Sequence, residues 1–367
     1  MNKVVRILGI RGIPAAHGGF ETFAERLALY LVGRGWRVVV YCQEEGAGQA
    51  WQDTWQGIER IHVPVKGHGA ASSVVFDWHA TRDASRFDDV CLTLGYNTAA
   101  FTALLRMRGL KSLINMDGIE WSRAKWGVPA KAWFWINERL GCWLGTHLIA
   151  DHPEIKRHLA TRVSSKKITT IAYGADRVVS VEGLQGELGG LQRGGYLTVI
   201  ARPEPENSLL EIVSAFSARP RGMKLVVLGK YDRAVPYQRQ VLDAAGNEVM
   251  FVGAIYNREI VGALRAGSAV YVHGHSVGGT NPSLVESMGA GNAIIAHDNR
   301  FNRWVAGEGA RYFSDEAGLA NLFDSLLGDA PELKLLSDNA LARYEDCFTW
   351  GHILGQYEQL LERYASG

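Results

Sequence analysis

The stretch "AVYVHGHSVGGTNPSLVESMGAGNAII", residues 269–295, indicates the fold of this chain. It reads as an apolar strand, a glycine-rich loop, a short helix and a second apolar strand. Asn281 is a favourable N-cap and Pro282 suits the first helical position, so the helix is predicted to begin there. Backbone N–H groups at a helix start carry partial positive charge, and this loop is therefore predicted to hold an anion.

The same alternation of apolar runs and helical segments continues along the chain in two series. Near-continuous apolar runs of strand length are typical of parallel strands buried on both faces. The runs are VVRILGI, WRVVVYC, IERIHVPV, DDVCLTLG, KSLINM, THLIAD and KITTIAYG, and then YLTVIA, MKLVVLGK, VMFVGAI, AVYVHG and NAIIAH. A helical stripe of apolar residues from Phe20 to Leu31 precedes Gly35, which is predicted to end that helix. The pattern predicts an α/β protein with two doubly wound domains.

The overall composition agrees with two globular domains. The 367 residues are more than one hydrophobic core normally holds, and 47% of them are hydrophobic against 21% charged. The opening apolar run is too short for a signal peptide or a membrane span. The four cysteines lie far apart without metal-ligand spacing. These features predict a cytoplasmic protein with reduced thiols.

The net charge of +1 hides an asymmetry between the two halves. Residues 1–180 carry 23 basic and 16 acidic residues, a net charge of +7, whereas the remainder carries 16 basic and 22 acidic residues, a net charge of −6. This difference predicts that the halves meet different partners. No nucleic-acid-binding motif appears and the whole chain is not basic, so nucleic acid is not expected among them.

A second glycine loop follows the first strand, in "GIRGIPAAHGGFETFAERLALYL", residues 9–31. Gly18 and Gly19 stand directly before the helix, so this loop is also predicted to cradle phosphate. The glycines do not form G-x-G-x-x-G and no acidic residue takes the ribose position, which argues against a nicotinamide cofactor. Two such loops on two α/β domains predict a diphosphate-linked ligand in a cleft between the domains.

Asp117 is predicted to lie at the carboxyl end of a strand, where α/β proteins place functional side chains. We expect it to orient or deprotonate an attacking hydroxyl group on the acceptor side. The acceptor-side residues that follow it are Glu120, Trp121, Arg123 and Lys125. The alternative is an aspartate that caps the next helix. His17 and His152 are weaker candidates, and a structural role or a position merely near the cleft is favoured for each.

Five of the eleven tryptophans lie among Arg and Lys in "WSRAKWGVPAKAWFWINERLGCWLG", residues 121–145. Amphipathic rings and cations are typical of proteins that touch a membrane interface, where anionic lipid meets the positive charge. The basic half of the chain, with Arg123 and Lys125 in this stretch, is therefore predicted to contact the inner face of the plasma membrane peripherally. The alternatives are stacking on sugar or lipid-carrier groups and packing in the core.

The motif "HSVGGTNPSLVESMGAGNAII", flanked by strands, resembles the nucleotide-sugar motif of retaining glycosyltransferases of family four. The blocks "HGGFETFAERLALYL", "INMDGIEWSRAKW", "ARPEPENSLLEI" and "FTWGHILGQYEQLLERY" resemble a subgroup that contains bacterial rhamnosyltransferases of surface-polysaccharide assembly. The resemblance implies the GT-B fold, in which two Rossmann-like domains face across a cleft. It implies domains at residues 1–178 and 196–346, a linker at 179–195, and a C-terminal helix at 347–367 that returns to the N-terminal domain.

The resemblance also implies roles for single residues. Glu286 would hold the ribose hydroxyls, Arg202 would meet the diphosphate, and the backbone from Thr280 to Leu284 would hold the phosphates. Lys230 is a plausible second cation. The predicted donor-binding set is Gly18, Gly19, Arg202, Lys230, Gly278, Gly279, Thr280, Asn281, Pro282, Ser283, Leu284 and Glu286, and the predicted catalytic set is Asp117, Arg202 and Glu286.

Two positions depart from the pattern of the family. Gly278 stands where the family normally has a glutamate that contacts the donor sugar, and Asn207 stands where it has a lysine. Sugar recognition must therefore differ here. The positive charge that faces the diphosphate is left to Arg202, Lys230 and the two helix starts.

These observations together predict a retaining glycosyltransferase that moves L-rhamnose from dTDP-rhamnose to a lipid-linked glycan precursor. No metal or other cofactor is expected, because cations and helix starts are available and no Asp-x-Asp motif follows a strand. The alternatives are a UDP- or GDP-sugar donor, a nucleotide-sugar epimerase of similar shape, and a non-catalytic nucleotide-sugar binder. The aromatic and basic stretch argues against the epimerase, and the absent glutamate suggests the binder.

Overall fold

The computed structural model describes residues 3–16, 18–178, 184 and 186–365. The chain divides into two compact units, of which unit 1 is Met1–Tyr173 with Trp350–Gly367 and unit 2 is Gly174–Thr349. Residues 179–183 and 185 of the predicted linker lie outside the described residues. In the described part of the chain, no helix is long and apolar enough to cross a membrane.

Unit 1 contains one sheet of eight strands. They are β1 (Val4–Leu8), β2 (Arg37–Glu45), β3 (Trp51–Trp55), β4 (Ile58–Val65), β5 (Val90–Leu94), β6 (Ser112–Asn115), β7 (His147–Ala150) and β8 (Ile168–Thr170). The strand order is β3-β4-β2-β1-β5-β6-β7-β8, and every pair is parallel except β3 with β4. The antiparallel β3 was not predicted. It is a polar edge strand with exposed side chains, so it lacks the apolar run by which the others were recognised.

The helices of unit 1 cover this sheet. They are α1 (Gly19–Gly33), α2 (Ala70–Ala84), α3 (Thr102–Met107), α4 (Val128–Leu144), α5 (Pro153–Leu159) and the last helix of the chain, α13 (Trp350–Ala365). The predicted stripe of α1 is buried at Phe23, Leu27 and Leu31, and the chain turns at Gly35, which has a φ of 82°. The backbone amide of Trp36 then closes the helix by donating to the carbonyl of Leu31 at 2.9 Å.

Helix α13 belongs to unit 1 although it ends the chain. The Tyr357 ring packs on the Phe23 ring with 4.6 Å between centroids. Glu358 accepts hydrogen bonds from Trp36 Nε1 at 3.3 Å and from the Tyr30 hydroxyl at 3.1 Å. The C-terminal helix therefore returns to the N-terminal domain, as expected.

Unit 2 is a Rossmann-like sheet of six parallel strands. They are β9 (Tyr196–Ile200), β10 (Lys224–Leu228), β11 (Val249–Phe251), β12 (Val270–His273), β13 (Ala293–His297) and β14 (Ala310–Phe313), in the order β11-β10-β9-β12-β13-β14. The edge strand β14 was not predicted. The helices are α6 (Leu209–Ser217), α7 (Pro236–Asp243), α8 (Arg258–Gly267), α9 (Pro282–Gly289), α10 (Arg300–Ala306), α11 (Glu316–Leu326) and α12 (Ala330–Cys347).

Each sheet reverses its strand order at one point, between β1 and β5 in unit 1 and between β9 and β12 in unit 2. In open α/β sheets a crevice forms at the carboxyl ends of the strands beside such a point, and ligands bind there. Both predicted glycine loops, after β1 and after β12, lie at these points. The strand order therefore supports the positions that the sequence suggested for two anion-binding loops.

Candidate functional site

The start of α9 is built as the sequence predicted. The side chain of Asn281 caps the helix by accepting a hydrogen bond from the amide of Ser283 at 3.0 Å, and Pro282 begins the helix. Gly279 has a φ of 133°, a conformation that favours glycine, and it turns the loop into the cap. No acidic residue lies in the first turn, so the partial positive charge of the helix start is not neutralised within the helix.

The amides of this cap divide into two groups. Those of Ser283 and Leu284 donate within the cap, to the Asn281 side chain and to the Asn281 carbonyl at 3.2 Å. Those of Gly279 and Asn281 donate no hydrogen bond to the residues that the structure describes. An anion at this helix start would therefore meet Gly279 and Asn281, while Ser283 and Leu284 hold the cap. Thr280, between Gly279 and Asn281 in the sequence, is buried.

Glu286 lies one turn into α9 and is held by a buried arginine. Its Oε2 pairs with Arg265 at 2.6 Å, and its side chain remains 36% exposed whereas that of Arg265 is 9% exposed. Arg265 also donates to Ser283 Oγ at 3.1 Å, which accepts a second hydrogen bond from the Tyr271 hydroxyl at 2.9 Å. Glu286 Oε1 makes no hydrogen bond with the described residues. It is therefore an oriented acceptor for hydroxyl groups.

Two cations follow neighbouring strands of the unit 2 sheet. Arg202 lies two residues beyond the end of β9 and Lys230 two residues beyond the end of β10, and the paired residues Ile200 and Leu228 set these strand ends in register. Both side chains are exposed, and neither forms a hydrogen bond or an ion pair within the described part of the chain. Positive charge is thus available at the edge where α/β sheets bind ligands.

A hydrogen-bond network that sequence reasoning missed holds the loop before α9. The buried Asn207 donates to the carbonyl of Arg202 at 2.8 Å, and its Oδ1 lies 2.5 Å from Nδ1 of His275. The carbonyl of His275 accepts from the side chains of Asn299 at 3.1 Å and Asn302 at 2.9 Å. The loop is thereby tied both to the end of β9 and to the first turn of α10.

Gly278 lies against the ring of Phe301. A β-carbon at position 278 would overlap the Cζ and Cε1 atoms of that ring, so only glycine fits while the ring stays in place. The packing therefore agrees with the glycine that this chain has where the family normally has a glutamate. Phe301 itself is half-buried in the first turn of α10.

In unit 1, Asp117 lies two residues beyond the end of β6 in a left-handed backbone conformation, with a φ of 48°. Its amide donates to Asn115 Oδ1 at 3.0 Å, and Asn115 Nδ2 donates to the hydroxyl of Tyr357 at 2.8 Å. Residues forced into this conformation often belong to functional sites. The next helical turn begins after Ile119 and has no side-chain cap, so Asp117 does not cap it.

The pKa of Asp117 is raised from 3.8 to about 6. Burial of the carboxyl group is the main cause, and the negative charge of Glu120 adds to it. The hydrogen bond from the Gly118 backbone and the charges of Arg123 and Lys125 act in the opposite direction. A carboxylate with a pKa near 6 is ionised at neutral pH and accepts a proton more readily than an ordinary aspartate.

Three of the four residues predicted on the acceptor side are used inside unit 1. Glu120 pairs with Arg123 at 2.7 Å and accepts from Trp126 Nε1 at 3.0 Å. Trp121 Nε1 donates to the buried Glu138 at 2.8 Å. The side chains of Glu120, Trp121 and Arg123 are therefore engaged in contacts within unit 1.

Lys125 is the fourth of these residues and is exposed, with its Nζ 4.8 Å from the centre of the Trp126 ring. Arg123, which was expected to face a membrane, is partly buried in its pair with Glu120.

Two carboxylates of α1 contact the glycine loop of unit 1. Gly18 and Gly19 stand at the start of α1 as predicted, but Glu21 and Glu25 follow in its first two turns. Their carboxylates accept from the loop amides of Arg11 at 3.4 Å and Ala15 at 2.6 Å. An anion would meet these carboxylates, so the loop is a poorer phosphate site than its glycines suggested.

Of the two weaker histidine candidates, the structure describes only His152. His17 lies outside the described residues. His152 is buried and caps α5 by accepting a hydrogen bond from the amide of Glu154 at 3.0 Å. This is the structural role that the sequence left open for it.

Helix α4 exposes an apolar face. Val128, Trp135, Ile136 and Trp143 lie at helical spacing on one side and are 81%, 44%, 49% and 55% exposed. The guanidinium of Arg139 stacks on the Trp135 ring at 3.3 Å.

Two positively charged side chains lie at the C-terminal end of α4. Arg106 and Lys167 donate to the last carbonyls of the helix, each at 2.7 Å. Glu138 is the one acidic residue in the sequence of α4, and it is buried and paired with Arg162 at 2.9 Å. The exposed charge contributed by α4 itself is therefore positive.

The fold resembles that of several solved glycosyltransferases. Sucrose-phosphate synthase from Thermosynechococcus elongatus matches with a TM-score of 0.83 and 17% identity over 100% of both chains. HepE of Anabaena in complex with UDP and glucose matches with a TM-score of 0.77 and 14% identity, over 99% of this chain and 100% of that one. An α,α-trehalose-phosphate synthase (UDP-forming) from Burkholderia xenovorans, in complex with glucose-6-phosphate, matches with a TM-score of 0.75 and 12% identity, over 98% and 100% of the two chains. The predicted GT-B fold is confirmed.

Comparison of the sequence with known families and proteins identifies no activity. Residues 2–176 match a family described as a domain of unknown function (DUF1972), which is slightly less than half of the chain. No curated protein matches the sequence. At these identities the structural matches show a shared fold, and the chemistry of a site depends on its own residues.

Proposed function

We propose that this chain is a retaining glycosyltransferase that takes its sugar from a nucleoside diphosphate. One observation supports the proposal most strongly. The start of α9 joins an uncompensated helix dipole, the open amides of Gly279 and Asn281, and the oriented carboxylate of Glu286 one turn further on. This arrangement suits a ligand with an anionic centre and neighbouring hydroxyl groups, as in a nucleoside diphosphate.

The reaction follows from these groups. The oxygen of the acceptor hydroxyl forms a bond to the anomeric carbon while the bond from that carbon to the phosphate oxygen breaks. The nucleoside diphosphate leaves with the electron pair, and Arg202, Lys230 and the start of α9 stabilise its growing negative charge. Asp117 accepts the hydroxyl proton, which its pKa of about 6 allows at neutral pH. We expect the transfer to proceed without a metal ion, since these groups already supply positive charge.

For the donor we propose a 6-deoxyhexose, with dTDP-L-rhamnose as the first compound to test. The resemblance to rhamnosyltransferases in the sequence supports this choice, as does the glycine at position 278 in place of a sugar-binding carboxylate. UDP-glucose is the alternative, because HepE of Anabaena binds UDP and glucose within the same fold.

Nucleotide binding tests the proposal directly. Calorimetry with dTDP, UDP and GDP and with their sugars is expected to identify a nucleoside diphosphate that binds the wild-type protein. Glu286→Ala should weaken that binding about 10-fold or more, because a hydrogen bond to a charged group is lost. Glu316→Ala is the matched control, since Glu316 is an exposed glutamate in the first turn of another helix of unit 2.

Two further results would decide against the proposal. Because Glu286→Ala leaves the buried Arg265 without its partner, Glu286→Gln and a measurement of thermal unfolding separate lost binding from lost stability. Unchanged affinity in both folded variants would remove the ribose assignment. A wild-type protein that binds a nucleotide sugar but neither transfers nor hydrolyses it would be a non-catalytic binder.

We also propose that the acceptor is a lipid-linked glycan at an anionic membrane, reached through the exposed face of α4. The tryptophans of this face supply amphipathic rings, and Arg139, Arg106 and Lys167 supply charge that is complementary to anionic lipid. We propose this face for the contact in place of Arg123 and Lys125, because Arg123 is already paired with Glu120.

Sedimentation with vesicles tests the membrane contact. The wild-type protein is expected to bind phosphatidylcholine vesicles that contain phosphatidylserine, and Trp135→Ser/Trp143→Ser should reduce the bound fraction several-fold. Trp51→Ser is the matched control, because Trp51 is an equally exposed tryptophan (49%) in unit 1, outside this face. Equal binding by the double variant and the control would exclude α4 as the contact.

A further inference from the structure

The Phe301 ring and Gly278 form a fixed apolar wall beside the start of α9. The tip of the ring occupies the space that a side chain at position 278 would need. The guanidinium of Arg300 lies 5.1 Å from the centre of the same ring. An aromatic ring with a guanidinium beside it therefore takes the place that the side chain of any other amino acid at position 278 would need.

Three asparagines fix the position of this wall. Asn299 caps α10 by accepting from the amides of Phe301 and Asn302, both at 3.0 Å. Asn299 and Asn302 also donate to the carbonyl of His275, three residues before Gly278. Asn207 holds the side chain of His275 and reaches the carbonyl of Arg202. The backbone that carries Phe301 and the loop that carries Gly278 are thus tied to each other and to the strand end that carries Arg202.

The order of the groups in a nucleotide sugar indicates which of them would lie beside the Phe301 ring. This inference rests on the proposed function. In a nucleotide sugar the ribose, the diphosphate and the sugar follow one another. Glu286 lies one helical turn, or about 5 Å, beyond the helix start that would hold the diphosphate. If the ribose lies at Glu286 and the diphosphate at the helix start, the sugar lies beyond the diphosphate, next to the loop of Gly278 and Gly279.

We infer that Phe301 is a specificity-determining residue whose ring packs against the methyl group of a 6-deoxysugar donor. A methyl group buries apolar surface against the ring. A hydroxymethyl group at the same position would lose a hydrogen bond to water without gaining one from the ring. A single group of this size in an apolar pocket typically discriminates about 10- to 200-fold.

The test compares donors that share one nucleotide. Dissociation constants are measured by calorimetry for dTDP-L-rhamnose, dTDP-glucose and dTDP, with the corresponding UDP set in parallel. The wild-type protein is expected to bind the rhamnose donor about 10-fold or more tightly than the glucose donor. Phe301→Ala should reduce this ratio to about 2-fold, while the affinity for the free nucleoside diphosphate stays unchanged. Phe301→Leu keeps an apolar wall and should retain most of the preference.

Gly278→Ala supplies an independent measurement, because its methyl group must displace the ring. It should lower the ratio in the wild-type background and have little further effect when combined with Phe301→Ala. If Phe301→Ala does not fold, Phe301→Gln, which keeps a long side chain but makes it polar, is judged by the same ratio.

The possible outcomes separate the two proposals. A wild-type ratio near one, or a ratio that Phe301→Ala leaves unchanged, overturns the role of Phe301 while the glycosyltransferase proposal stands. Failure of the wild-type protein to bind any nucleotide or nucleotide sugar overturns both.

Discussion

The loop after β1 in unit 1 and the loop after β12 in unit 2 share one outline and differ in charge. Both are glycine-rich, both lead into a helix, and both lie where the strand order of their sheet reverses. In unit 1 the carboxylates of Glu21 and Glu25 accept hydrogen bonds from the loop amides. In unit 2 the uncharged Asn281 caps the helix, and the exposed cations Arg202 and Lys230 follow the neighbouring strands.

This difference shows that glycines predict the shape of such a loop, whereas the charges around it decide its ligand. Unit 2 combines a helix dipole with free cations and suits an anion. Unit 1 combines two carboxylates of α1, which contact its loop, with Asp117, whose pKa is raised to about 6, and suits the handling of a proton. The comparison supports the proposal that unit 2 binds the donor and that unit 1 supplies the acid–base chemistry, and each part of the proposal can be tested alone.

Asp117→Asn should have the largest effect on the reaction and none on donor binding. Loss of a general base typically costs about 100- to 10,000-fold in rate. Asparagine tolerates the left-handed backbone of this position, so the loop should keep its shape. Transfer rates and donor dissociation constants should be measured together, with the exposed Asp88→Asn as control. A normal transfer rate in Asp117→Asn would end the assignment of acid–base chemistry to unit 1.

The pH dependence tests the same residue in two ways. Below the pKa of about 6 the carboxylate of Asp117 is protonated, so transfer should fall about tenfold per pH unit there. The folded protein also binds this proton more tightly than the unfolded chain, whose aspartate has the ordinary value of 3.8. The contribution of Asp117 to stability should therefore decrease as the pH rises from 3.8 to about 6. Denaturant titrations should show Asp117→Asn gaining stability relative to the wild type across this range, and a constant difference would contradict the raised pKa.

Much of the fold could be predicted because buried parallel strands appear in the sequence as near-continuous apolar runs. Each of the twelve apolar runs identified in the sequence became a strand, from β1 to β13. The two strands that were missed, β3 and β14, are edge strands of their sheets. An edge strand has fewer neighbours and tolerates polar residues, as in "WQDTW", so its apolar pattern is weak.

The site was predictable only as far as its geometry is local. The cap at Asn281 and Pro282 follows from adjacent residues, and it was predicted correctly. The pairing of Arg265 with Glu286 joins two separate helices, and nothing in the sequence of either helix indicates it. The effect of Glu21 and Glu25 was not predicted, although its signal is local. They lie four residues apart at a helix start, and this spacing predicts that they face one side and oppose an anion there.

Arg202→Ala should produce the next largest effect, and it tests the assignment of anion binding to unit 2. Loss of a charged hydrogen bond to phosphate corresponds to about 10- to 100-fold weaker binding of the nucleoside diphosphate. Lys230→Ala removes an exposed point charge and should cost only about 2- to 5-fold. Both losses should shrink at high salt. Glu21→Gln changes the charge of the corresponding loop in unit 1 and serves as the control, and an equal effect there would remove the distinction between the two loops.

Asn281→Ala should give the smallest effect, and it separates the helix cap from the ligand site. Removing an asparagine cap typically costs about 1 kcal/mol of stability. Asn257 caps α8 in the same unit by accepting from the amides of Glu259 at 2.9 Å and Ile260 at 3.1 Å. Denaturant titrations should therefore show similar losses of stability for Asn281→Ala and Asn257→Ala. Calorimetry should show weaker nucleoside diphosphate binding, by a few fold, in Asn281→Ala alone, because only its cap orients the amides proposed to meet the phosphates. Equal binding by both variants would mean that the start of α9 is an ordinary helix end, and the contrast between the two loops would then rest on Arg202 and Lys230.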